Sequence, residues 1–134
     1  MNRLGLIFFL CLCAQVSAQE PATDFTSTYK AYNRAYQAGE FKSALKHAKL
    51  AVELGKIKYG EKSENYTNLL YNMALMQAKN SKRREASNTM QQVVQLKQNL
   101  RGENSIEHLT ALLEFIQLNS KIADRKIVIS PNKQ

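Results

Sequence analysis

The chain has 134 residues, 19 of them basic and 11 acidic, for a formal net charge of +8. That length suits a single domain, and a composition that is 44% hydrophobic and 22% charged excludes a low-complexity or disordered tail. Only two cysteines occur, Cys11 and Cys13, too few and too close for the disulfide framework of a small secreted scaffold.

The first element is not part of the fold. Met1-Asn2-Arg3 is a short basic start, Leu4 to Ala14 is an apolar run, and Val16-Ser17-Ala18 offers small residues to a signal peptidase. This three-part layout predicts a secretory signal peptide over residues 1–18, cleaved after Ala18. The apolar run is well short of the roughly 20 residues that cross a bilayer, so a retained anchor fits less well. A lipoprotein signal fits less well again, because Leu12 precedes Cys13 where a small residue belongs. Cleavage removes both cysteines and Arg3, leaving 18 basic and 11 acidic side chains. A cysteine-free exported chain suits a bacterial periplasm. Asn65-Tyr66-Thr67 matches a glycosylation sequon, which is idle in a bacterium.

The remainder reads as helix. Apolar residues recur at helical spacing, as in Ala44, Leu45, Ala48, Ala51 and Val52. Breaks fall near Gly39-Glu40, Gly60-Glu61, Asn80-Ser81 and Gly102-Glu103. Gly39, Gly60 and Gly102 suit the position just past a helix end, and Ser63, Ser81 and Ser105 are placed to act as N-caps. Five helices are therefore expected, over 24–38, 41–59, 64–79, 82–101 and 106–123. Short connections make neighbours antiparallel, and residues 124–134 form a C-terminal tail.

The helices repeat at an interval of 42 residues. Gly60-Glu61-Lys62-Ser63 returns as Gly102-Glu103-Asn104-Ser105, Ala44 as Ala86, Tyr29 as Tyr71 and Leu70 as Leu112. The Ala44 stripe returns as Ala86, Ser87, Met90, Val93 and Val94. A fixed period of this size marks a solenoid, whose units bury their apolar faces only by stacking.

The stretch from Tyr29 to Leu54 resembles a tetratricopeptide repeat. Gly39-Glu40-Phe41 is similar to that family's turn between paired helices, and Ala44 and Ala51 to its two small packing residues. Asn72-Met73-Ala74, Glu85-Ala86 and Val93 carry the likeness into a second unit. The 42-residue spacing is similar to the long-repeat variant of kinesin light chains and many bacterial proteins. The expected fold is an all-α, tetratricopeptide-type α-solenoid of about five antiparallel helices over residues 19–123: two repeats and a half repeat. Two positions depart from the pattern. Arg83 stands where an aromatic turn residue belongs, so that turn is expected to pack loosely, and Thr28 replaces a bulky residue.

The resemblance implies a groove lined by the first helices of the units. Residue by residue it points to Tyr29, Asn33, Tyr36 and Gln37, then Asn68, Tyr71, Leu75 and Lys79, then Thr110, Leu113 and Gln117. Rings with interleaved amides suit a peptide, although the tyrosines can equally pack between helices. The basic cluster Lys79, Lys82, Arg83 and Arg84 reads as a solvated turn, with an acidic or anionic-lipid dock as the sharper alternative.

No nucleophile, metal or phosphate-loop motif is present, and His47 and His108 read as solvent-facing or cap-adjacent. The expectation is a non-enzymatic scaffold or adaptor without cofactor or metal, binding another envelope protein or peptide. Export argues against nucleic acid, and no stable membrane insertion is expected after cleavage. The layout is also similar to the N-terminal region of periplasmic TonB-family energy transducers. On that alternative the chain is a portion or accessory of an envelope transport system, without its effector domain. The apolar last helix (Ile106, Leu109, Leu112, Leu113, Phe115, Ile116, Leu118 and Ile122) leaves three outcomes. It caps the solenoid with a semi-polar face, the Ile127-Val128-Ile129 tail folds back over it, or it is a contact surface, in a homodimer or with a partner.

Overall fold

The computed structural model describes residues 24–129, with side chains through Lys121; the expected signal segment lies outside the described residues. The fold is all-α. Five helices follow in order: α1 (Phe25–Gln37), α2 (Phe41–Tyr59), α3 (Glu64–Lys79), α4 (Arg83–Arg101) and α5 (Ile106–Ile129). There is no strand among the described residues. No helix there is long and apolar enough to cross a membrane. The one boundary that differs by more than a residue is the end of α5. It runs to Ile129 rather than Ala123, so Ile127 to Ile129 continue the helix and do not form a separate strap.

Main-chain contacts join each helix to its neighbours in sequence: α1 to α2, α2 to α3, α3 to α4 and α4 to α5. The two expected apolar stripes supply the packing, with Ser87 and Val94 of the second only half-buried and Thr89 buried beside it. Ala44, Leu45, Ala48, Ala51 and Val52 are buried on α2, and Ala86, Met90 and Val93 on α4. One core cluster joins Ala51, Val52, Leu69, Leu70, Ala74, Met90, Val93 and Ala111 across α2 to α5. A second joins Tyr32, Ala35, Ala44, Leu45, Ala48 and Met76 across α1 to α3. Thr28, echoed by Leu70, is buried with its hydroxyl unpartnered, so the core loses apolar volume at that position.

The repeat is written into the turns atom by atom. The Ser63 hydroxyl donates to the Gly60 carbonyl at 2.8 Å and accepts from the Tyr66 amide at 3.1 Å. Forty-two residues on, the Ser105 hydroxyl donates to the Gly102 carbonyl at 2.9 Å and accepts from the His108 amide at 3.2 Å. Both serines thus satisfy an amide left open by the first helical turn. Both glycines hold positive φ, 80° and 93°, with ψ near 150°, a conformation that side chains all but forbid.

Ser81 does not cap α4. It echoes Gly39 instead and takes the same left-handed turn, φ 62° against 73°. The hydrogen bonds match: Gly39 N to Tyr36 O and Glu40 N to Ala35 O, then Ser81 N to Ala78 O and Lys82 N to Gln77 O. Lys82 occupies the N-cap and makes no side-chain capping bond. Nor is this turn loose: the Asn80 amide donates to the Phe41 and Met76 carbonyls at 2.8 and 2.7 Å, tying it to the start of α2.

Two substitutions test these packing statements. Ser81→Gly relieves a left-handed serine and is expected to stabilise the chain by about 0.5–1 kcal/mol, read as a rise in melting temperature. Gly55→Ala goes the other way although alanine is the better helix former. An added Cβ would overlap the Leu69 side chain, and overpacking of this kind costs roughly 1–3 kcal/mol.

Candidate functional site

The expected groove residues divide into two groups. On α1, Tyr29, Tyr32 and Tyr36 join Phe25 and Phe41 in a row of rings with centroids 5.7–6.3 Å apart. Tyr29 is half-buried against both core clusters, so much of its surface serves packing. Asn33 is half-buried, while Tyr36 and Gln37 are exposed. None of these α1 residues lines the two clefts that open between α3, α4 and α5.

The α3 and α5 residues do converge. Asn68, Tyr71 and Thr110 line a cleft of about 260 Å³ together with Val93, Lys97, Ile106, Glu107, Ala111 and Glu114. Leu75, Lys79 and Gln117 line a second of about 520 Å³, with Ala74, Ala78, Arg83, Met90, Glu114, Leu118 and Lys121. Glu114 belongs to both. Leu113, expected in the groove, lines neither and lies exposed.

Glu114 is the polar centre of this surface. The Tyr71 hydroxyl donates to its Oε1 at 2.9 Å. Its Oε2 is buried without a partner. An unpartnered buried acceptor is costly, roughly 1–3 kcal/mol, and calls for a donor. Burial, and after it the Glu114 contact, pushes the Tyr71 phenol up to about 12. The second tyrosine so shifted is Tyr32, also to about 12, by burial first and then by the adjacent Tyr29 and Tyr36.

Charges frame the clefts. Lys97 donates to Glu64 and, at 3.0 Å, to Asn68 Oδ1, while Arg101 Nε donates to Glu64 Oε2 at 3.1 Å. The Lys97 bond, with Arg101 assisting, holds the Glu64 carboxyl below its ordinary value. This network pins the first turn of α3 to the last turns of α4. At the larger cleft, Arg83 fills the site of the missing aromatic. It is half-buried and its Nη1 donates to the Lys121 carbonyl at 3.2 Å. In the first unit the equivalent Phe41 packs against the core, under the Lys79 ammonium at 5.3 Å. Lys82 instead pairs with Glu85, within its own turn. Neither Lys79 nor Arg83 forms an ion pair among the described residues.

His108 is not solvent-facing. It is buried beside the α5 cap, with Nδ1 3.2 Å from the Val94 carbonyl. The sequence suggests Glu114, with Glu107 and Gln117, for the semi-polar outer face of the last helix, whereas the structure turns Glu114 toward Tyr71 of α3. It lies 43 residues from Tyr71, one repeat plus one, a pairing that becomes visible only with α3 and α5 side by side. The chain matches no protein-family model, no curated protein and no solved structure.

The shifted phenols give an alkaline signature. Their raised values mean the fold prefers the protonated ring, so the stability they contribute is intact below about 10 and is lost as pH rises toward 12. A tyrosinate absorbance titration should show two of the six rings ionising late. Tyr71→Phe should remove one of them and flatten the fall in melting temperature over that window.

Proposed function

We propose that the chain is a non-enzymatic interaction module of the bacterial periplasm, a tetratricopeptide-type α-solenoid of antiparallel helix pairs that binds a peptide segment of another envelope protein. The repeated Gly-x-x-Ser turns and the neighbour-to-neighbour helix contacts support the solenoid reading. Delivery rests on the signal-like start of the sequence.

The observation that carries the binding reading is the pair of clefts sharing Glu114. Their floor is apolar, from Ala74, Leu75, Ala78, Met90 and Leu118 in one and Val93 and Ala111 in the other. Such a floor takes up side chains by removing them from water. Glu114 lines both clefts, and its buried, unpaired Oε2 would gain a donor if its carboxylate turned toward the backbone N–H of an extended peptide. Lys79 and Arg83 at the rim favour acidic residues beside the buried ones. On this reading the binding surface lies on α3 and α5, and the tyrosine row of α1 mainly holds the first helix pair together.

Selection of a random peptide library against the purified chain tests this. Enriched peptides should carry apolar side chains flanked by Asp or Glu. Leu75→Glu should weaken them at least about tenfold, the cost of placing a charge against an apolar contact, with far-ultraviolet circular dichroism unchanged. Failure to enrich any peptide, or binding indifferent to Leu75→Glu, would refute the proposal.

A further inference from the structure

The outward face of α5 is the most apolar surface among the described residues. Ile106 is 80% exposed, Leu109 50%, Leu113 55% and Ile116 55%. Their spacing of three, four and three places them on one stripe of the helix.

The 42-residue echo shows that this stripe corresponds to a covered surface. Leu109 falls on Thr67 and Ile116 on Ala74, which are 0% and 1% exposed. Ile106 falls on Glu64, engaged by Lys97 and Arg101 of α4, and Leu113 on Tyr71, engaged by Glu114 of α5. In the preceding unit, α4 and α5 therefore contact Glu64, Tyr71 and Ala74, and Thr67 between them is fully buried. On α5 the same positions carry larger apolar side chains and no following helix among the described residues covers them.

We infer that this face binds the same face of a second copy, with the two α5 helices antiparallel about a two-fold axis beside Leu113. An isologous contact needs a self-complementary patch, and this one is apolar along its length with uncharged Thr110, Gln117 and Ser120 on its shoulders. In a chain of formal net charge +8 the stripe itself carries no cation, so two copies meet there without like charges directly opposed, while Lys97 and Lys121 lie beyond its Thr110 and Gln117 shoulder. The axis sets Leu109 of each copy near Ile116 of the other and leaves the small Ser120 beside Ile106. A second α5 then lies across α5 as α4 lies across α3, the start of one helix beside the end of the other.

The area is sufficient. At these exposures the four side chains leave on the order of 400 Å² in water, comparable to the largest apolar patch of a typical monomer, which is often functional. Two copies with their shoulder residues reach about 1,200 Å², the lower bound of a specific interface.

Sedimentation equilibrium of the purified chain at up to about 100 µM decides the matter, since self-association is concentration-dependent. The expected mass is twice that of the chain. Leu109→Glu with Ile116→Glu should return it to one chain mass with helicity unchanged. In a chain lacking Cys11 and Cys13, Leu113→Cys should oxidise to a covalent dimer, whereas the exposed control Ile57→Cys should not. A single-chain mass throughout overturns the inference, as does a dimer that survives the double substitution or a control that cross-links equally well. Because none of the substituted positions lines the peptide clefts, peptide capture by the monomeric variant reports on the groove independently.

Discussion

Alanine methyls set how closely these helices approach, and the remaining contacts follow from that distance. Ala44, Ala48 and Ala51 on α2, Ala74 on α3 and Ala86 on α4 are all almost fully buried. A side chain this small adds little apolar area of its own. Its value is that backbones come close enough for larger neighbours to interlock, as Met76, Met90 and Val93 do. Ala44 recurs 42 positions on as Ala86, while Ala48 and Ala51 give way to Met90 and Val93, so the second unit fills the same buried positions with larger side chains; the Gly-x-x-Ser turn recurs unchanged.

The polar groups are arranged around this packing. Glu64 links the start of α3 to the end of α4 through Lys97 and Arg101. Asn80 links the α3–α4 turn to the start of α2. Tyr71 links α3 to α5 through Glu114. Each bond spans two helices, so each fixes an orientation that apolar burial alone would leave adjustable. The Tyr71–Glu114 bond also leaves the second carboxylate oxygen buried without a partner, on a residue that lines two clefts.

Repetition strengthens in the turns and weakens along the first helices. Gly39 and Ser81 share one backbone conformation despite their different side chains, because the neighbouring hydrogen bonds impose it. Phe41 and Arg83 share a position but not a role: the ring packs into the core, while the guanidinium reaches across to α5. Departures of this second kind create the asymmetry between the units. The first pair carries the row of rings, and the second carries the two clefts that share Glu114.

The five helices, their boundaries to within a residue at all ends but one, and the two buried stripes could be read directly from the chain. Helical periodicity and Gly and Ser punctuation are local properties, and a 42-residue echo doubles every local signal. Reading Ser81 as a cap failed because a serine before a helix has two local uses, and only the pairing of Lys82 with Gln77 selects the turn. The end of α5 was misplaced because no glycine or proline stops it before Pro131. Tertiary structure alone decided which side of each first helix faces a neighbour. Tyr29 packs half-buried against both core clusters, Leu113 faces outward, and Glu114 meets Tyr71. Such choices depend on the rotation of one helix against the next, a rigid-body relation set by all the packed side chains together and carried by no single segment.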